Sequence, residues 1–384
     1  MRRLATTAIL IGLCVAAVRV TPSAQQRGVS VLPIGLQWTR ALPFGDAVRL
    51  VIGEARVLVA TPTRLDALAW ATNNPEPAWT SPLAATVPPL VHDGRVFVAA
   101  DGALHGLSEL TGHPAWRLPV GRVTVPLVFR AGWILALGDD ARLQGIRAVD
   151  GEAIWRSAPL STPLALPPVV DGERVFGVTA DGAMTAWRVT DGAITWQQQS
   201  LSTPLQILAA HGLIYVATDG RLTAYRQSTG ERVWSYPVGM PLVGRLAADA
   251  DHVYIAVLDN SVRAHRASNG HMAWSKKVTA RVVDGLTADA GMVLVPHSSG
   301  AIRFMLAATG QAAGELAAPA ADSRGTTALM TAGDGMGLRL LRMTVSDTAR
   351  VVDAFARQTL PLTSALTISG TPLAWSTLPP PSRQ

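Results

Sequence analysis

The sequence predicts an all-β fold, an eight-bladed β-propeller with four antiparallel strands in each blade. One observation behind this prediction is a short sequence phrase that recurs along the chain. The phrase consists of a polar residue followed by Gly, then three variable residues, then Trp. The other is a series of Asp-Gly pairs between short apolar runs, which supply the positive φ angles of tight hairpins. A seven-bladed ring is the alternative.

The repeated phrase gives the length of one structural unit. It occurs as LTGHPAW, VDGEAIW, TDGAITW, STGERVW and SNGHMAW, with a looser copy at NNPEPAW. The tryptophans that end these copies are 37 to 41 residues apart, at positions 79, 116, 155, 196, 234 and 274. This spacing is the length of a four-stranded propeller blade. A decayed copy keeps Gly310 and, on this interpretation, ends at Leu316.

The N-terminal strand is expected to close the ring. Trp38 precedes Trp79 by one period, and the apolar segment around residues 33–42 has the composition of a strand. If this strand completes the last blade, the ring has no exposed sheet edge. We therefore predict that residues 25–384 form a single propeller domain of eight blades.

Residues 1–24 are predicted to be a secretory signal peptide. Arg2 and Arg3 precede the apolar segment 4–18, which is too short for a spanning helix and ends near Arg19. Cys14, the one cysteine of the chain, lies in this segment, so a mature chain would have no disulfide and no thiolate metal site. A lipid anchor on Cys14 is the disfavoured alternative, because Leu13 is not the small residue that a lipoprotein signal requires.

The charge balance excludes a nucleic-acid binder. The full chain has 33 basic and 27 acidic residues, a net charge of +6, and the loss of three arginines with the signal peptide leaves 30 minus 27, or +3. The basic residues are also scattered along the chain rather than clustered. We expect a periplasmic, monomeric protein whose mature chain has no transmembrane span.

The phrase A-x-x-x-x-[TDS]-G-x-x-x-W, present as AYRQSTGERVW and AHRASNGHMAW, resembles the PQQ-type propeller repeat of quinoprotein-like proteins. The resemblance implies that each Trp packs against the Gly of a neighbouring unit and locks one blade to the next. The residues implied in this blade docking are Trp79, Trp116, Trp155, Trp196, Trp234, Trp274, Gly112, Gly151, Gly192, Gly230, Gly270 and Gly310. The chain departs from the family where an Asp is usual, with arginines at 147, 188, 226 and 266.

Members of this family include BamB-like scaffolds of the outer-membrane assembly machinery and dehydrogenases that oxidise alcohols or sugars with PQQ and calcium. The dehydrogenases use a cysteine pair and a cluster of Glu, Asn and Asp ligands, and neither is evident in this sequence. We therefore expect a non-catalytic scaffold with no catalytic, cofactor-binding or metal-binding residues. Its partners would be envelope proteins, among them the barrel-assembly machinery. A PQQ-dependent dehydrogenase and a ligand-sensing propeller are the alternatives.

Two further features are interpreted as structural. The eight histidines lack metal-ligand spacing and are expected on the surface or in turns. The pair Asp139 and Asp140 lies between two predicted strands and is expected to form a hairpin turn.

Overall fold

A computed structural model describes residues 34–42, 48–70, 77–199, 203–289, 291–319, 325–331, 339–345, 350–357, 366–368 and 371–373. The predicted signal peptide and Cys14 lie outside these residues. In the described part of the chain, no helix is long and apolar enough to cross a membrane.

The structure is an eight-bladed β-propeller, which confirms the predicted fold class. Each blade is a four-stranded antiparallel sheet, and within blades 1 to 7 the strands follow one another in chain order. Blade 1 contains β2 to β5 (Arg49–Ile52, Arg56–Ala60, Leu65–Ala69, Pro77–Ser81). Blade 2 contains β6 to β9 (Leu90–His92, Arg95–Ala100, Ala103–Ser108, Pro114–Pro119). Blade 3 contains β10 to β13 (Val128–Arg130, Trp133–Leu137, Leu143–Arg147, Ala153–Arg156).

The next four blades repeat this plan. Blade 4 contains β14 to β17 (Val169–Asp171, Arg174–Val178, Met184–Arg188, Ile194–Gln198). Blade 5 contains β18 to β21 (Gln206–Ala210, Leu213–Thr218, Arg221–Arg226, Arg232–Pro237). Blade 6 contains β22 to β25 (Leu242–Ala248, His252–Val257, Ser261–Arg266, Met272–Lys277). Blade 7 contains β26 to β29 (Thr287–Asp289, Met292–Pro296, Ile302–Leu306, Ala312–Leu316).

Blade 8 joins the two ends of the propeller. It contains β30 to β32 (Gly325–Thr331, Arg339–Val345, Arg350–Arg357) and, as its fourth strand, β1 (Ile34–Leu42). Strand β1 pairs antiparallel with β32, with Leu42 opposite Arg350. A separate hairpin of β33 and β34 (Leu366–Ile368, Thr371–Leu373) follows.

The second and third strands of the blades are buried along nearly their whole length. In β7 every residue after Arg95 is buried, and β3 and β11 have the same pattern. These strands are continuous apolar runs because both faces of the sheet are covered, one by the preceding blade and one by the next. The fourth strands, such as β9 and β17, alternate between half-buried and exposed residues.

Eight hydrophobic clusters lie between the blades, one at each junction of the ring. The cluster between blades 8 and 1 contains Trp38, Leu50, Val57 and Leu341, all at most 8% exposed. The cluster between blades 7 and 8 contains Phe304 of blade 7 together with other buried apolar residues of both blades. The core of this protein is therefore a circle of inter-blade clusters rather than a single centre, and these two clusters close it.

In the described Asp-Gly pairs the glycine has a positive φ, as the sequence predicted, but the aspartate does not in Asp171-Gly172, Asp181-Gly182 or Asp219-Gly220. At Asp93 and Gly94 the φ angles are +50° and +65°, and at Asp101 and Gly102 they are +49° and +70°. Two consecutive positive φ angles are the requirement of a type I′ hairpin turn. Asp139 and Asp140 also lie in a turn, between β11 and β12.

Candidate functional site: inter-blade contacts and a groove on blades 2 and 3

Each predicted docking tryptophan lies on the fourth strand of its blade and contacts the next blade. Its indole Nε1 donates a hydrogen bond to a backbone carbonyl of that blade. The pairs are Trp79 to Glu109 (2.8 Å), Trp116 to Ala148 (3.1 Å), Trp155 to Val189 (2.7 Å), Trp196 to Gln227 (2.8 Å), Trp234 to Ala267 (2.7 Å) and Trp274 to Ala307 (2.9 Å). Each ring therefore buries apolar surface while its one polar atom has a partner.

The six predicted docking glycines lie against these rings. All have positive φ, between +67° and +75°, in the turn between the third and fourth strands. A Cβ atom built on any of them would lie 2.3 to 2.7 Å from the nearest ring atom. The pairs are Gly112 with Trp79, Gly151 with Trp116, Gly192 with Trp155, Gly230 with Trp196, Gly270 with Trp234 and Gly310 with Trp274. The contribution of these pairs to stability stays a prediction.

Trp38 and Glu109 make inter-blade contacts that sequence reasoning did not assign. Trp38 of blade 8 donates to the carbonyl oxygen of Trp70 in blade 1 at 3.2 Å. The Glu109 side chain, 1% exposed, accepts hydrogen bonds through Oε1 from the backbone N–H groups of Ala55 and Arg56, both at 2.8 Å. Glu109 thus holds the turn between β2 and β3 of the preceding blade.

Blade 7 departs from the repeat at the position of the docking Trp. Trp274 lies opposite Ala264 in blade 6, and the equivalent pair in blade 7 is Gly314 opposite Phe304. The position of the Trp is therefore Gly314, four residues after Gly310, and not Leu316, which lies opposite Ile302. The large side chain of this pair is Phe304 on the third strand, 8% exposed, and the small residue is on the fourth.

A groove of about 370 Å³ lies between blades 2 and 3. It is lined by the turns between the first and second strands of both blades and by the turn that follows β12. The apolar surface comes from Phe129, Trp133 and the exposed Val149, whereas Phe97, which also borders the groove, is fully buried. Pockets of this size and apolar character are typical of binding sites.

Aromatic stacking fixes the floor of the groove. The ring of His92, at the end of β6, stacks on Phe129 of β10 with centroids 3.8 Å apart and 19° between the planes. Phe129 in turn stacks on Phe97, and Phe97 stacks on the docking residue Trp116. The floor is therefore continuous with the inter-blade contact and has little conformational freedom to lose on binding.

Charged groups stand at the edge of the groove. Arg95 and Arg147 line it, and Arg147 forms ion pairs with Asp150 and Glu152 in the following turn. The hydrogen bond from Arg147 lowers the pKa of the Asp150 carboxyl, so Asp150 stays ionised in mildly acidic conditions. Arg147 is one of the arginines at which the chain departs from the family pattern.

Two histidines differ from the expectation of a surface or turn location. His265 and His297 are 0% and 2% exposed. Burial lowers the pKa of both, and Nδ1 of His265 makes a 2.9 Å hydrogen bond with the carbonyl oxygen of Gly270. The sequence prediction was wrong here because neighbouring blades cover the face of the strand that a single sheet would expose.

One group of acidic and histidine side chains could hold a metal ion. Within the described ranges, His, Cys, Asp and Glu side chains form a metal-competent group of three only at Glu54, His92 and Asp93, in the turns of blades 1 and 2. Calcium prefers six to eight oxygen ligands, whereas this group combines two carboxylates with an imidazole. This group therefore does not match the ligand set that calcium prefers.

Taken together, the ring of four-stranded blades, the Trp and Gly contacts at successive blade junctions and the repeat phrase define a β-propeller of the PQQ-like class. The family profile described as outer membrane protein assembly factor BamB matches residues 35–130, 120–245 and 218–337. These matches cover most of the chain, and the chain therefore belongs to this family. A comparison with curated proteins finds no match.

Solved structures with the same fold include proteins of different function. BamB from Moraxella catarrhalis is 16% identical, with a TM-score of 0.61 over 85% of this chain and 99% of that one. The computationally designed protein Ika8 is 13% identical, with a TM-score of 0.65 over 84% and 99%. A quinohemoprotein alcohol dehydrogenase from Comamonas testosteroni is 14% identical, with a TM-score of 0.60 over 88% and 79%. At these identities the likeness extends to the fold alone.

Proposed function

We propose that this protein is a non-catalytic scaffold of the periplasm that binds envelope proteins and contributes to outer-membrane protein assembly. The observation that carries the proposal is the rigid aromatic groove between blades 2 and 3, in a chain of the BamB family. A propeller suits this role, because its strands hold loops in fixed positions where a partner can dock.

The occupant that fits the groove is a segment of a partner protein with an apolar or aromatic anchor side chain next to a carboxylate. The anchor would lie against Phe129, which the buried Phe97 supports by stacking, and the carboxylate would meet Arg95. Aromatic anchors in preformed pockets provide most of the binding energy at protein interfaces. Val149, 59% exposed at the edge of the groove, extends the apolar contact.

The sequence features and the family support a periplasmic location. The predicted signal peptide would direct the chain to the periplasm, where we expect a monomer without a cofactor or a nucleic-acid partner. We expect cleavage to remove the signal peptide together with Cys14, which would carry no lipid. The mass of the mature protein isolated from cells would test both points, because cleavage after Ala24 and lipidation of Cys14 give different masses.

Site-specific photo-crosslinking in intact cells tests the docking role. A photoreactive amino acid at Val149 should form a crosslink to a protein of the barrel-assembly machinery, identified by mass spectrometry. The matched control position is Ile194, an equally exposed apolar residue (58%) on the fourth strand of blade 4. The Phe129→Ala variant should lose the Val149 crosslink, because it removes the floor of the groove.

The proposal is wrong if Val149 gives no crosslink to an assembly protein, or if the pattern at Val149 equals that at Ile194. Crosslinks that persist unchanged in Phe129→Ala would place the interface away from the groove.

A further inference from the structure

We propose that Glu54, His92 and Asp93 bind a divalent transition-metal ion, with zinc the best fit, at the junction of blades 1 and 2. Glu54 lies in the turn between β2 and β3, and His92 and Asp93 lie at the equivalent turn of blade 2. One ligand atom from each residue can be chosen so that all three lie within 4.8 Å of one another. The inference is independent of the proposed docking function.

The distances suit a shared ion after small side-chain rotations. Nδ1 of His92 lies 2.9 Å from Oδ1 of Asp93, and Oε1 of Glu54 accepts a 2.9 Å hydrogen bond from the backbone N–H of Asp93. Ligands about 2.1 Å from a tetrahedral ion are about 3.4 Å apart, which is within the range spanned by this group. The second carboxylate oxygen of Glu54 can bind the ion without breaking the bond to Asp93.

The ligand atom that the histidine offers already lies beside a second ligand. Nδ1 of His92 has no hydrogen bond of acceptable geometry within the described residues, and its near neighbour is Oδ1 of Asp93 at 2.9 Å. The ring itself is held in place by the stack on Phe129. An imidazole that is fixed in orientation beside a carboxylate binds a metal with little entropic cost.

The backbone of the Glu54 turn is fixed from two sides. Glu109 of blade 2 accepts hydrogen bonds from the N–H groups of Ala55 and Arg56. Arg339 of blade 8 donates to the carbonyl oxygens of Gly53 and Glu54, at 3.0 and 2.6 Å. These contacts hold the Glu54 backbone beside Asp93 before any ion is bound, as a preorganised site requires.

The ligand set selects among metals. One imidazole nitrogen with two carboxylates favours a borderline ion such as zinc over calcium or magnesium, which prefer oxygen ligands only. Three protein ligands leave a fourth coordination position open. Because His92 and Asp93 also line the groove, the proposed ion would lie at its edge, where water can complete the coordination.

Zinc titration of the full-length mature protein, stripped with a chelator, tests the site by calorimetry. The wild type should bind one Zn²⁺ per chain, and Ca²⁺ at the same concentration should give no comparable heat. Two variants remove ligands but keep the local contacts. Glu54→Gln retains an acceptor for the N–H of Asp93, and His92→Phe retains a ring that stacks on Phe129. Each should bind zinc at least tenfold more weakly, with an unchanged melting temperature without metal.

The control is His271→Gln, which removes an exposed histidine of blade 6 and should leave the zinc affinity unchanged. A loss of less than tenfold in either Glu54→Gln or His92→Phe overturns the proposal, as does the absence of stoichiometric binding in the wild type. A loss of binding in His271→Gln would assign the ion to the surface histidine instead.

Discussion

Trp79 and Glu109 form a two-way contact between blades 1 and 2. The indole Nε1 of Trp79 donates to the backbone carbonyl oxygen of Glu109 at 2.8 Å. The side chain of the same glutamate returns to blade 1, where it accepts from the N–H groups of Ala55 and Arg56. One residue of blade 2 therefore holds both the outer strand and an inner turn of blade 1, so this junction should respond strongly to substitution.

Replacement of Glu109 should separate the two parts of this contact. Glu109→Ala leaves two half-buried N–H groups without their acceptor and should lower the free energy of unfolding by about 2–4 kcal/mol. Glu109→Gln keeps a carbonyl oxygen and should cost less, about 1 kcal/mol. Urea denaturation measures both, with Glu152→Gln, an exposed glutamate of blade 3, as control. Equal losses in Glu109→Ala and the control would show that the buried carboxylate does not stabilise the junction.

The docking tryptophans are expected to be major contributors to stability. Trp155→Ala removes a ring that packs on Gly192 and a 2.7 Å hydrogen bond to Val189, and should cost about 3–5 kcal/mol. Trp196→Ala should cost a similar amount. Ile194→Ala, at an exposed position on the same strand as Trp196, should change stability by less than about 0.5 kcal/mol. A neutral Trp155→Ala would mean that this ring serves binding rather than blade packing.

A pair of glycines in blade 5 separates backbone strain from steric contact. Gly230 and Gly220 have φ angles of +75° and +66°, so alanine is strained at both by about 1–2 kcal/mol. A Cβ at Gly230 would also lie 2.7 Å from the ring of Trp196, whereas nothing lies within 4 Å of a Cβ at Gly220. Gly230→Ala should therefore lower the melting temperature clearly more than Gly220→Ala. If the two variants lower the melting temperature equally, the positive φ angle, and not the contact with the Trp ring, is the reason for glycine at this position of the repeat.

The repeat made the fold predictable from the sequence, because the features that define it are local. The spacing of tryptophans from Trp79 to Trp274 gives the blade length, and the one-period offset of Trp38 indicates the eighth blade. Asp-Gly pairs such as Asp93-Gly94 need no partner from elsewhere in the chain to specify a hairpin. The exchange at Phe304 and Gly314 also follows from the spacing of the repeat phrase around Gly310, and the assignment to Leu316 was wrong because it did not keep the four-residue step from Gly to Trp.

The candidate sites were harder to predict because their residues come from different blades. Glu54 and Asp93 are 39 residues apart, one repeat, so a search for close ligand spacing such as H-x-x-x-H does not detect them. Their proximity results from the curvature of the ring, which brings equivalent turns together at successive junctions. The role of Glu109 was missed for the same reason, as its side-chain partners belong to the preceding repeat.

The last prediction concerns alkaline pH and the buried Tyr215. Its hydroxyl is buried and makes no hydrogen bond in the described part of the chain. Burial raises the pKa of Tyr215 to about 12, and the Asp249 carboxylate adds to the increase. In the unfolded chain a tyrosine ionises near pH 10. Below about pH 10 both states keep the proton, and between about pH 10 and about pH 12 the unfolded state loses it first.

The free energy of unfolding should therefore fall as the pH rises through this window. The contribution of Tyr215 is at most about 1.4 kcal/mol per pH unit. Tyr215→Phe removes this contribution, so its stability should decrease less steeply between about pH 10 and about pH 12. At neutral pH the variant should be at least as stable as the wild type, because the hydroxyl has no partner to lose. Urea denaturation at several pH values measures both slopes, and parallel curves for the two proteins would show that Tyr215 ionises at the same pH in the folded and unfolded states.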